Sequence, residues 1–489
     1  MTGKSSLFFQ REPRFARKKQ SGDSGHTVDE TSLKYMLKLA GPMIVTTISF
    51  TIMQFVDRFM VSRLGTEALA AVLPAGFVSF LPGSFAIGVM AGVTTFVSQS
   101  LGRSNKRDCS SYCWQAIYMG LVYFGVVVAI MWPGAPWIFA MMGHEPAVAN
   151  MEVIYLRIML YAQAVAVFIW ASSQFFMGVH RPIITMYAAF CEQVVNVVAN
   201  YVLIFGRLGF PKMGIAGAGW GTFIGVVVGA GIRMVMFLYG DINATFESRQ
   251  AVSIDFVKMR ELLKVGLPAG FELMVNVAVW GVILFALVGR FGKEALAATS
   301  AVFSCTNVSV MPIVGVRTAL TAVVGKAIGA GRRDVAIRQT SVCLRMAVAY
   351  MGLVGLCFFL FRNAIMRFWS YDDKVIETGV NILICAAIYQ LFHAARIIYS
   401  GSLRGAGDTK WLAIVSALAA VVILGFGGAL IVKLLPGLGP LGPWIAGTIS
   451  IIVAGVANRW RFKSNRWMQI DLFKRRALGV PAEAEAVAG

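Results

Sequence analysis

The stretch Arg63-Leu-Gly-Thr-Glu-Ala-Leu-Ala-Ala71 returns as Arg290-Phe-Gly-Lys-Glu-Ala-Leu-Ala-Ala298, an offset of 290 − 63 = 227 residues. The same offset carries Leu101-Gly102 onto Ile328-Gly329, Gln163 onto Gln390 and Gly178 onto Gly405. One coincidence would mean little, but four in a single register mean duplication, and a repeat of this kind organises everything around it.

The sequence between these marks decides what is repeated. Of 489 residues, 57% are hydrophobic and 14% charged, and the mean hydropathy is +0.71. A soluble domain carries about 25% charged residues, so a water-soluble fold is excluded. Runs long enough for the ~20 residues that cross ~30 Å of hydrocarbon recur at 37–61, 69–97, 116–139, 154–178, 183–205, 215–239, 267–288, 296–324, 342–366, 376–401, 412–432 and 441–460. The expectation is an all-α integral membrane protein of about 12 transmembrane helices in two six-helix bundles. An even number of spans per copy gives both copies the same orientation, which makes them parallel repeats about an axis along the membrane normal. Two such bundles leave a cleft near the bilayer midplane that can open to either side by rocking.

This predicts a basic arm over 1–32, an N-terminal lobe over 33–240, a linker over 241–264, a C-terminal lobe over 265–462 and a tail over 463–489. The arm and the Ala/Glu-rich end after Leu478 are too polar to bury apolar surface and are expected to be disordered. The first apolar run exceeds the 7–15-residue core of a cleavable signal. The formal charge of +20 could suggest nucleic acid, but the charges fall in alternate loops. Arg103/Lys106/Arg107, Lys258/Arg260/Lys264, Arg332/Arg333/Arg338 and Arg459/Arg461/Lys463 share one side with the arm, about 30 Lys/Arg against about 10, as the positive-inside rule requires of a cytoplasmic face. Both termini are then cytoplasmic, in a multi-pass inner or plasma membrane protein. The charge reflects topology and anionic lipid, with no nucleic-acid partner. Seven cysteines form no CxxC pair and four histidines no metal spacing, so no metal, cofactor or enzymatic centre is expected.

Further motifs lie in order along the chain: Gly41-Pro42, Val56-Asp57, Val61-Ser-Arg-Leu-Gly65, Phe96-Val-Ser-Gln-Ser-Leu-Gly102, the run from Asn196 to Gly206, Leu267-Pro268, Glu294-Ala-Leu-Ala-Ala298 and Leu403-Arg-Gly-Ala-Gly-Asp-Thr-Lys410. Together they resemble the multidrug and toxic compound extrusion (MATE) family of the NorM/DinF type, over about residues 33–460. The resemblance implies two six-helix lobes around a central cavity and export of cationic or amphiphilic small organic compounds, driven by inward H⁺ or Na⁺; the protein is expected to function as a monomer. It places the family's acidic position of the first helix at Asp57 and the polar pair of its fifth helix at Asn196 and Asn200. At the two carboxylate positions of the family's second lobe this chain has Asn276 and His393, with Glu272 one turn before Asn276.

Ionisable groups inside hydrocarbon are costly and usually face a cavity or a partner. Asp57 is a candidate for the coupling ion or a substrate cation, or else a paired or snorkelling side chain. Glu192, Asn196 and Asn200 recur every four residues and share one helix face, either lining the cavity or bonding a neighbouring helix. Glu272 and Asn276 repeat that spacing. Arg317 and Arg396 hold guanidinium charges that no accessible pH removes. They pair with Glu272, or face the cavity and favour an anionic or zwitterionic substrate. His393 shares a face with Arg396 and can titrate near neutral pH. Gln163 and Gln390 orient helices or line the cleft. An alternative to drug export is a lipid-linked oligosaccharide flippase of the same superfamily, whose cavity would be cationic.

Overall fold

The computed structural model describes residues 32–143 and 145–473; the arm and the end after Leu478, expected to be disordered, lie outside the described residues but for Ser32. Among the described residues there is no strand, and twelve helices are long and apolar enough to cross a membrane. In chain order these spans are Leu33–Ser62, Thr66–Gly102, Lys106–Met142, Pro146–Gly178, Pro182–Phe205, Ile215–Leu238, Phe256–Phe291, Lys293–Gly329, Arg333–Leu360, Asp373–Ala406, Thr409–Leu434 and Leu441–Lys463. Each contains the core of one apolar run from the sequence, so the expected all-α architecture of twelve spans is observed.

The repeat sets the helix starts. Thr66 and Lys293, Lys106 and Arg333, Pro146 and Asp373, and Pro182 and Thr409 each open equivalent spans, every pair 227 apart (293 − 66 = 333 − 106 = 373 − 146 = 409 − 182). The quoted motif is the turn into the second and eighth spans. Gly65 and Gly292 cap them with φ of +117° and +97°, a region that L side chains avoid. Glu67 and Glu294 then occupy the first turn, where a carboxylate meets the positive end of the helix dipole.

The segment expected to be a linker is partly helical. A short helix covers Gly240–Phe246, and the seventh span already starts at Phe256, because Asp255 caps it by accepting from the Val257 and Lys258 amides at 3.0 and 3.1 Å. The polar sequence of 256–264 hides a buried face at Lys258 and Leu262, which an average over the segment misses.

The halves meet most closely where the basic loops lie. Met36, Leu39 and Ala40 of the first span join a core with Ile313, Val316 and Leu320 of the eighth. Reciprocally, Leu262 and Val265 of the seventh join the core of the N-terminal half. At the axis, a Cβ on Gly102 would lie 2.1 Å from the Lys326 carbonyl oxygen, and one on Gly329 would lie 2.1 Å from that of Gln99. Since 326 − 99 = 329 − 102 = 227, this is one contact seen twice. Interlobe hydrogen bonds run at the same end: Thr95 and Gln99 donate to the Arg404 and Gly405 carbonyls at 2.8 and 2.9 Å, and Arg103 to Asp471 at 3.0 Å. Toward the opposite face, most of the first span beyond Ile48 is exposed or half-buried. The two halves are thus tied together at the basic end.

Candidate functional site

In the N-terminal lobe the fifth span lays its polar stripe along a glycine groove of the sixth. Hypothetical Cβ atoms on Gly221, Gly225 and Gly229 would fall 2.0 Å from Asn200 Oδ1, 2.8 Å from Asn196 Cβ and 2.5 Å from Glu192 Oε2. A small residue every fourth position lets the backbones close in, as at other membrane helix interfaces. Within that interface Asn200 Nδ2 donates to Asp57 Oδ1 at 2.7 Å and to Asn196 Oδ1 at 3.2 Å, and Asn196 Nδ2 donates to Thr222 Oγ1 at 3.3 Å. Asn196 and Asn200 are buried and Asp57 is half-buried.

Glu192 belongs to a separate contact. Arg233 of the sixth span donates from Nη1 to its Oε2 at 2.9 Å and to the Gly229 carbonyl at 2.9 Å. This arginine was missed in the sequence; the signal was its place as the charged residue of an apolar helix, four beyond Gly229. Asp57, by contrast, has no cationic partner within 4.0 Å among the described residues; Asn200 is its hydrogen-bond donor. The Oδ1 of Asn200 is itself buried and accepts nothing. A half-buried carboxylate thus lies beside an unused amide oxygen.

The C-terminal lobe gathers Glu272, Asn276, Arg317, His393 and Arg396, though not in the pairs expected. Glu272 accepts from Arg404 Nη2 at 2.5 Å and from Ser416 Oγ at 3.2 Å. Its partner is therefore neither Arg317 nor Arg396 but an arginine two turns beyond Arg396, in the Leu403–Lys410 motif. Asn276 Nδ2 folds back onto the Glu272 carbonyl at 2.7 Å, leaving its Oδ1 to accept from Arg396 Nη2 at 3.2 Å. Arg396 Nη1 lies 3.5 Å from His393 Nε2, at the limit of a hydrogen bond. The eighth span brings in Arg317, whose Cγ lies 2.9 Å from where a Cβ on Gly401 would sit.

Gln163 and Gln390 hold equivalent positions and make equivalent ties. Gln163 donates to the Ser79 carbonyl at 2.6 Å and Gln390 to Ser309 Oγ at 3.0 Å, joining the fourth span to the second and the tenth to the eighth. Both are buried. Among the described residues no group of three or more His, Cys, Asp or Glu could hold a metal ion.

Comparison with known proteins supplies the family. Proteins described as probable multidrug resistance protein NorM are similar over nearly the whole length. That of Mesorhizobium japonicum is 28% identical, covering 88% of this chain and 93% of its own. That of Chromobacterium violaceum is 29% identical, over 86% and 90%. Among solved structures, an outward-facing multidrug resistance MATE family transporter superposes with a TM-score of 0.82 at 20% identity, over 90% of this chain and 97% of that one. A transporter from Pyrococcus furiosus, described as having a binding pocket of reversed polarity that suggests a different function, gives 0.82 at 21%, over 91% and 97%. The MatE family model matches residues 42–202 and 268–427, once in each lobe, and the chain belongs to the MatE family of membrane transporters.

Proposed function

We propose that this protein is a secondary antiporter that exports small organic compounds in exchange for H⁺ or Na⁺, by alternating access between its two lobes. The observation that carries the reading is Asp57: a carboxylate without a cationic partner among the described residues, held by Asn200 at 2.7 Å beside that residue's unused Oδ1. A carboxylate and two amide oxygens suit a proton or a small hard cation. Glu192 is neutralised by Arg233 and is assigned to helix packing. The relatives described as multidrug resistance proteins support organic cargo. The concentration of Lys and Arg at one end supports a cytoplasmic assignment for that end and both termini, in a plasma membrane protein working as a monomer. A cleft closed at the basic end then faces outward.

Substrate and coupling ion exchange because each lobe arrangement exposes the sites to one side only, and occupancy biases which arrangement is populated. The test is transport of ethidium and of an anionic dye, fluorescein, by the purified protein in vesicles, with pH and Na⁺ gradients imposed separately. Gradient-driven transport that Asp57→Asn abolishes, with an unchanged melting temperature, is the expected result. Equal driven transport by the variant would remove Asp57 from the mechanism.

A further inference from the structure

The C-terminal lobe carries more positive charge than its protein partners neutralise. Among the described residues, Arg317, Arg396 and Arg404 lie within electrostatic reach of one carboxylate, Glu272, and Glu272 is already engaged by Arg404 and Ser416. The excess is 3 − 1 = 2 positive charges. Arg396 is left with a neutral amide oxygen at 3.2 Å and a histidine nitrogen at 3.5 Å. The guanidinium of Arg317 has no hydrogen-bond acceptor among the described residues. Guanidinium keeps its charge, and an uncompensated charge at membrane depth is strongly unfavourable, so this arrangement lacks an anion.

Two further observations point the same way. Arg317, Arg396, His393 and Asn276 are half-buried rather than fully buried. The repeat also does not impose it. Subtracting 227 places Met90, Ile169 and Met177 opposite Arg317, Arg396 and Arg404. Adding 227 to the N-terminal cluster gives Leu284 for Asp57, Ala419 for Glu192, Ile423 for Asn196 and Gly427 for Asn200. Each lobe is polar where the other is apolar, and the two are opposite in sign.

We propose that Arg317 and Arg396 bind an oxyanion, a carboxylate or phosphate group, of the exported compound, so that the cargo is an organic anion or zwitterion with an apolar body. This rests on the exporter reading above. Arg317 supplies free donors and Arg396 turns from Asn276 to the ligand, the two planar forks matching the oxygens of such a group. Arg404 and Glu272 stay paired and hold the wall of the site.

The experiment measures fluorescein, an aromatic carboxylate, and ethidium, an aromatic cation, by equilibrium binding to purified full-length protein and by gradient-driven transport in vesicles. Fluorescein is expected to bind and to be transported, Arg317→Gln to raise its Kd about ten-fold or more, and Arg317→Lys to lose less. Without ligand, Arg317→Gln should raise the melting temperature, since it removes an unpaired charge. No fluorescein binding by wild type, or equal Kd in wild type and a folded Arg317→Gln, overturns the proposal. Ethidium transport without fluorescein binding would do so while leaving the antiport reading intact; fluorescein binding without driven transport of either dye supports the site and removes antiport. Phosphatidylcholine vesicles with and without phosphatidylglycerol separate the sources of the oxyanion. With enough salt to screen the vesicle surface charge, a fluorescein Kd equal in both supports soluble cargo, whereas a Kd that rises with phosphatidylglycerol overturns it in favour of a lipid phosphate, the flippase alternative.

Discussion

Adding one methyl group at the pseudo-two-fold axis should push the transporter out of the arrangement described above. In Gly329→Ala the new Cβ would lie 2.1 Å from the Gln99 carbonyl oxygen and 2.8 Å from its carbonyl carbon. Carbon and carbonyl oxygen rarely approach within about 3.3 Å, so the two backbones must part by about 1 Å. The obstacle is main chain, so no rotamer change relieves it. Overpacking of this kind costs about 1–3 kcal/mol. The cost falls on the state in which the basic ends touch, so it moves the conformational equilibrium by the same amount, roughly 5- to 150-fold. Lys106 and Arg333 are exposed at that end and equivalent by the repeat (333 − 106 = 227). Spin labels on cysteines at these two positions, in a background without reactive native thiols, should report a shift toward longer distances, with slowed transport. Gly102→Ala should do the same, because its Cβ would meet the Lys326 oxygen at 2.1 Å. An unchanged distance distribution with wild-type transport in both variants would refute the claim that this contact closes the cleft.

Other substitutions probe the two lobes separately. Glu272→Ala leaves Arg404 without its 2.5 Å partner and should cost about 3–5 kcal/mol, read as a drop in melting temperature; Glu272→Met with Arg404→Met should recover most of it. Gly221→Ala places a Cβ 2.0 Å from Asn200 Oδ1 and should turn that amide away from Asp57, lowering gradient-driven transport about ten-fold through one lost bond to a charged group. At the basic surface, Arg181 hydrogen-bonds the exposed Asp241 and holds its carboxyl below the usual carboxylate range. A depressed folded value contributes stability above the unfolded pKa of about 3.9 and loses it as pH falls through the folded value. The melting temperatures of wild type and Asp241→Asn should therefore differ by a small, constant amount at neutral pH and converge in strong acid. A gap that widens on acidification would reverse the sign.

Fold and repeat were legible because both rest on local pattern. Hydrophobic length marks a span, and the Gly65/Gly292 turn needs a residue that tolerates positive φ. The spacing of Glu192, Asn196 and Asn200 correctly put them on one face. What pattern could not supply was the partner across that face. Asn200 reaches Asp57 over 143 residues, and Glu192 takes Arg233 on a helix that reads as glycine and valine. For Glu272 the choice among three arginines was decided by helix depth: Arg404 lies nearer the basic end than Arg396, beside Ser416 of the eleventh span. Sequence spacing along one helix carries no such information.

The eleventh span runs with π-helical turns over Ala419–Gly427, and the seventh does so over Val279–Ile283. Subtracting 227 from the longer stretch gives 192–200, the polar stripe of the fifth span, where the backbone stays α-helical. Turns closed by i→i+5 bonds are where helices most readily bend. At equivalent depth one lobe is thus stiffened by cross-linked side chains and the other made pliant by its main chain. If the lobes rock, they do not share the deformation equally: the half that holds Asp57 moves as a lever and the half that holds Arg317 and Arg396 flexes as its spring.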